Sequence, residues 1–116
     1  MDRSAETTIA AEEKSPREKV LDLLRARNGQ ARFVTELYAS LARLGIGTAD
    51  ADRALAELET AGAVMVRAHF CADPHLAGVD LRVVALVEGN EGEDPQAGAI
   101  HRIDEIWNRW LNEYLA

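Results

Sequence analysis

Four side chains able to ligate a metal alternate within one short stretch: His69, Cys71, Asp73 and His75. In an extended segment alternate residues point to one side, and all four residue types serve as zinc ligands. Extended backbone also spreads alternate residues by about 6–7 Å, and the spacing matches no metal-binding signature. The stretch therefore reads as a hairpin tip with a partly buried thiol and surface histidines, and no metal or other cofactor is expected. Catalytic signals are missing too. The sequence has no glycine-rich phosphate loop and no nucleophile elbow. Ser4 and Ser40 have no evident base partner, and Glu57 and Glu59 lie two apart, on different faces of a helix. An enzyme is not expected.

Charge is the next source of chemistry. The chain of 116 residues carries a net charge of −7, but unevenly. Residues 1–15 contribute −2, residues 91–116 contribute −4, and the long middle, 16–90, only −1. The middle is near neutral and carries no strongly basic footprint for DNA. The length suits one domain, and 47% hydrophobic residues suffice for a core. The single cysteine rules out an internal disulfide and fits a reducing compartment. Residues 1–14 lack an apolar core of signal-peptide length, and no run approaches a membrane span. A cytoplasmic protein with no membrane partner is expected.

The elements that position these groups can be read in order. Residues 1–14 are polar, without a sustained period, and are expected to be a disordered tail. Ser15-Pro16-Arg17-Glu18 is a capping box with proline at the first helical position. Val20, Leu21, Leu23 and Leu24 give that helix its apolar face, and Asn28-Gly29 should end it. Ala31 to Val34 suits a very short strand. Thr35 is the expected cap of a second helix with Leu37, Tyr38, Leu41 and Leu44 inward, Gly45 its stop and Ile46 a plug in the following turn.

Residues 47–66 are the most informative run. Thr48 is expected to cap a third helix, with Asp50 and Asp52 in its first turn, where the helix dipole favours negative charge. Ala51, Ala54, Leu55 and Leu58 recur at helical spacing, and Gly62 is a left-handed stop. The period then changes, with Val64 and Val66 alternating against Met65 and Arg67. Two strands are expected, roughly 63–71 and 79–87, joined by a tip over 72–78. Leu81 to Val87 is apolar on both faces apart from Arg82, so something must cover its second face. Residues 89–98 read as an acidic linker, and 99–116 as a C-terminal helix.

The run from Asp52 to Val64, together with its flanks, resembles the second half of a winged helix-turn-helix, in which a recognition helix leads directly into a β-wing. The resemblance covers residues 16–88 and is to the superfamily, of the kind seen in MarR, ArsR and PadR-like repressors. It implies an α+β, mostly α fold: three helices plus a β-hairpin wing over 15–88, with an added C-terminal helix. It also implies a homodimeric transcriptional regulator that binds duplex DNA through the third helix and the wing. Carried over to this sequence, the exposed positions of the third helix are Ala49, Asp50, Asp52, Arg53 and Ala56. Arg53 is the one good base or phosphate ligand among them, and Asp50 and Asp52 would accept from cytosine or repel phosphate. Arg25, Arg27 and Arg32 would contact backbone, and Arg67 and Arg82 lie on the wing. The acidic third helix and the uncharged wing tip depart from the pattern. They leave a second reading open, in which the same fold is a protein-interaction module that docks a basic partner through Asp50, Asp52, Glu57 and Glu59.

The C-terminal helix carries both tryptophans. Ile100, Ile103, Trp107, Trp110 and Tyr114 follow a three-four spacing and are the expected dimer contacts. Ile106, Leu111 and Leu115 widen the stripe enough for part of it to cover the doubly apolar strand. His101, Arg102, Glu105, Asn108, Arg109, Asn112 and Glu113 occupy the opposite side. There, Arg102–Glu105, Glu105–Arg109 and Arg109–Glu113 are spaced for solvent-side ion pairs.

Overall fold

The computed structural model describes residues 14–26, 31–88 and 94–116. Within them the chain is α+β and mostly helical: helix α1 (Pro16–Arg25), strand β1 (Ala31–Phe33), helices α2 (Val34–Arg43) and α3 (Thr48–Thr60), strands β2 (Val64–Arg67) and β3 (Val83–Leu86), and helix α4 (Pro95–Leu115). The expected tail, Arg27, Asn28-Gly29 and most of the expected linker fall on 1–13, 27–30 and 89–93, outside the described residues.

The capping box forms as its spacing requires. The Ser15 hydroxyl accepts from the Glu18 amide at 3.3 Å, and the Glu18 carboxylate accepts from the Ser15 amide at 3.4 Å. The next two helix starts differ from expectation. β1 runs directly into α2, so Phe33 occupies the cap position and Thr35 lies inside the first turn. Gly47, with extended backbone, is the cap of α3, and Thr48 is its first residue. Asp50 keeps its place in the first turn, whereas Asp52 falls beyond it.

Both helix ends at glycine use one device. Gly45 and Gly62 have φ of +85° and +78°, a region costly for any residue with a Cβ. Each left-handed residue lets the following amide reach back to a carbonyl five residues earlier: Ile46 to Leu41 and Ala63 to Leu58, both at 2.9 Å. The glycine amides bond to Ala42 and Glu59, completing Schellman motifs. Ile46 is buried as the plug between α2 and α3. Leu44 does not turn inward: it is the cap residue of α2 and remains half exposed.

The sheet is antiparallel in the order β1-β3-β2. Ala31, Arg32 and Phe33 lie opposite Ala85, Val84 and Val83; Val64 to Arg67 lie opposite Leu86 to Val83. The strands are shorter than the sequence suggests. After Arg67 and before Val83 the chain leaves the ladder, and Pro74–Leu76 forms a single 3-10 turn.

Alternation along β3 explains its composition. Val84 and Leu86 join the main core, with Val20, Leu24, Leu37, Leu41, Leu55, Leu58 and Val64. Val83 and Ala85 join a second cluster on the other face, with Ala31, Phe33, Ala99 and Ile103. Met65 follows them to that side, and Val66 packs against the main core. The second face is covered by α4, which contacts all three strands.

α4 begins earlier than expected. Asp94 caps it by accepting from the Gln96 amide at 3.0 Å, and Pro95 opens it, so residues 95–98 are helix and not linker. Its Arg102 does not face solvent. The guanidinium reaches over the end of the sheet and donates to the carbonyls of Leu86 at 2.6 Å and Glu88 at 3.2 Å. Gly98 makes room for it, since a Cβ there would lie 3.3 Å from Arg102 Nη1. Glu105 pairs with His101 at 2.6 Å and not with Arg102.

Candidate functional site

The surface of greatest chemical interest is the outer side of α3 and the groove between it and the β2–β3 hairpin. The inner side of α3 is consumed by the core, where Ala51, Ala54, Leu55 and Leu58 are all buried. That leaves Ala49, Asp50, Asp52, Arg53, Ala56, Glu57 and Glu59 exposed. The side carries four carboxylates and one guanidinium. Arg53 is highly exposed, and its nearest carboxylate is Asp50 of its own helix, at 3.7 Å. Glu57 lies 3.8 Å from Arg17 of α1. No cation among the described residues lies in ion-pair range of Asp52 or Glu59.

Asp52 has a different partner. The Tyr38 hydroxyl of α2 donates to its Oδ1. Burial pushes the Tyr38 phenol up to about 12, and the Asp52 carboxylate beside it acts in the same direction. Arg82, expected on the wing strand, precedes β3 and is held by Asp80. Its Nε and Nη2 reach the two carboxylate oxygens at 3.0 and 2.8 Å. This forked pair holds the Asp80 carboxyl below its ordinary range. Tyr38, Asp52, Leu55, Ala56, Glu59, Val66 and Arg82 line a groove of about 400 Å³ between α3 and the hairpin.

The other arginines do not converge on this side. Arg32 is buried; it donates to the Glu36 carbonyl at 3.4 Å and the Ser40 hydroxyl at 3.1 Å, so it serves α2 internally. Arg25 pairs with Glu88 at 3.1 Å, tying the end of α1 to the end of the sheet region. Arg67 is exposed on β2, and Arg27 lies outside the described residues. Two polyanion ligands of the expected set, Arg53 and Arg67, thus remain exposed without a strong ionic partner.

The His69 to His75 stretch does not gather into a metal site. His69 stacks on Trp107 with ring centroids 4.4 Å apart, and its Nδ1 lies 3.3 Å from the Leu81 carbonyl. Asp73 accepts from the Tyr114 hydroxyl and from the His75 amide, and these bonds hold its carboxyl below the ordinary range. The His75 side chain is exposed and Cys71 is half-buried. Among the described residues no three His, Cys, Asp or Glu side chains are gathered for a metal ion.

Trp107, Trp110 and Tyr114 continue the stack from His69, with successive centroids 5.2 and 5.1 Å apart, and Phe33 meets Trp110 edge-on at 5.8 Å. This row clamps the hairpin loop to the last turns of α4. Of the five expected dimer contacts, Ile103 is fully buried inside its own chain and cannot meet a second subunit. Ile100, Trp107 and Trp110 are half-buried, and Tyr114 is exposed.

Sequence reasoning missed Tyr38 as the partner of Asp52, and Glu59 as a groove residue beyond its charge. The Asp80–Arg82 spacing carried a usable signal, because an aspartate two residues before an arginine can bond to both its amide and its side chain. No helix among the described residues is long and apolar enough to cross a membrane. Comparison with protein-family models, curated proteins and solved structures finds no match to this chain.

Proposed function

We propose that this chain is a winged-helix interaction module whose third helix docks a basic surface of another protein and does not read a DNA groove. The fold part of the reading is supported by the order α1-β1-α2-α3-β2-β3, the short Gly45-Ile46-Gly47 turn and the β1-β3-β2 sheet, all of which resemble that architecture. The functional part is carried by one observation: the exposed side of α3 presents four carboxylates, Asp50, Asp52, Glu57 and Glu59, with Arg53 the one cation of the helix itself and Arg17 of α1 beside Glu57.

A helix inserted into a major groove lies among phosphates, and the carboxylates there, of which Asp52 and Glu59 have no cation in ion-pair range among the described residues, add repulsion. The same charges attract a cationic protein surface and speed encounter with it. Duplex DNA is the competing reading, and the exposure of Arg53 and Arg67 favours it. Its mark is a steep loss of affinity with salt, because DNA binding releases condensed counterions. The deciding experiment pairs two assays. Selection from random duplexes at low salt should recover no preferred sequence. Partner capture from the native cell should be abolished by the double variant Asp50→Lys, Glu57→Lys and kept by Arg53→Ala. A selected duplex whose binding is lost in Arg53→Ala would overturn the proposal.

A further inference from the structure

The loop between β2 and β3, residues 68–82, is held differently at its neck and at its tip. At the neck, His69 stacks on Trp107 and its Nδ1 lies 3.3 Å from the Leu81 carbonyl. Leu81 is buried there, and Arg82 is forked onto Asp80. Beyond the neck, every residue from Phe70 to Val79 is exposed or half-buried. The tip is nevertheless ordered internally. Asp73 Oδ1 caps the 3-10 turn by accepting from the His75 amide at 2.9 Å. The amides of Leu76, Ala77 and Val79 donate to the carbonyls of Asp73, Pro74 and Leu76. A single hydrogen bond ties this unit to the rest of the chain: the Tyr114 hydroxyl of α4 donates to Asp73 Oδ2. No other hydrogen bond, ion pair or ring contact leaves 70–79 among the described residues. The carboxylate that caps the turn is therefore also the handle by which α4 holds it.

We propose that residues 70–79 form a flap that hinges at His69 and Leu81, is pinned to the last turns of α4 by the Tyr114–Asp73 bond, and opens as a preformed unit. A segment with little buried apolar surface and no ladder bonds to its neighbours opens at low free-energy cost, without the sheet. Its internal bonds survive the opening, because none of them crosses the hinge. The neck stays, since Leu81 is in the interior and the His69 ring lies against Trp107. Opening frees Cys71, which is half-buried and close enough to Tyr114 to act on its phenol. Control of the flap lies at one carboxylate oxygen: loss of the phenol donor releases the tip and leaves the fold intact. The flap lies away from the exposed side of α3 and needs no partner to operate.

The test is ¹⁵N relaxation of the full chain, read for both fast motion and microsecond-to-millisecond exchange, in the wild type and in Tyr114→Phe. The variant keeps the ring that stacks on Trp110 and removes only the donor. Motion in the wild type should be confined to 70–79. In Tyr114→Phe the open population should rise about three- to tenfold, as expected for the loss of one hydrogen bond. The thiol of Cys71, the one cysteine of the chain, should react faster with an aromatic disulfide reagent in the variant, while the urea midpoint stays unchanged. A tip as rigid as the sheet in both proteins, an unchanged thiol rate, motion that spreads into β2 and β3, or a lowered urea midpoint would each overturn the proposal.

Discussion

Replacing Ile103 with alanine tests whether α4 is part of the fold or an appendage. Ile103 is fully buried in the second cluster, among Ala31, Phe33, Val83, Ala85 and Ala99. The change removes three carbons, and at about 0.8 kcal/mol for each buried methylene the transfer loss is about 2.4 kcal/mol. The cavity adds to this. Part of its wall is the paired strand backbone of Val83 and Ala85, which relaxes little, so the expected total is about 3–4 kcal/mol, within the usual range for such truncations. Stability is read from urea unfolding followed by fluorescence. Both tryptophans of the chain lie on α4 and report directly on its release. Circular dichroism should give the same midpoint if α4 and the sheet unfold as one unit. A loss below about 0.5 kcal/mol, the range of surface substitutions, would refute the packing argument. A midpoint that rises with protein concentration would instead assign the helix to a subunit interface.

Other outcomes follow from single contacts. In a Tyr114→Phe background, absorbance at high pH should show Tyr38 titrating near 12, well above an ordinary phenol. Because the folded value is raised, the associated stability is complete below an unfolded value of about 10 and is lost as pH rises toward 12. Titration of Tyr38 at the ordinary value would show that its burial and its bond to Asp52 are absent in solution. Gly62→Ala should cost about 1–2 kcal/mol from left-handed backbone alone, since no atom lies within 4 Å of the added Cβ; an unchanged urea midpoint would contradict the Schellman stop. Self-association through α4 would use the apolar surface its own chain leaves accessible, chiefly Ile100, Leu111 and Leu115 beside the exposed Tyr114. Light scattering at tens of micromolar should then give a dimer that Leu111→Glu converts to a folded monomer. A monomeric wild type would refute a homodimer.

What the sequence determined by itself was local. The capping box at Ser15, the stops at Gly45 and Gly62 and the stripe Ala51, Ala54, Leu55 and Leu58 are each written within four or five residues, the reach of one helical turn, so composition and spacing suffice to read them. The doubly apolar strand also announced that a second layer must cover it, because an apolar strand face is not left in water. The precise caps of α2 and α3 were less legible, since β1 pairing with β3 carries extended backbone up to Phe33 and moves the start of α2 ahead of Thr35. Only the tertiary structure decided the chemistry of the surface. Asp52 meets Tyr38 across 14 residues, Arg102 reaches Leu86 across 16, Tyr114 meets Asp73 across 41 and Arg25 pairs with Glu88 across 63. Each of these partners is chosen by how the helices and sheet pack. Whether an arginine is exposed, paired or buried thus depends on contacts that no sequence window contains, and the charge of a folded surface is the part of function a sequence hides best.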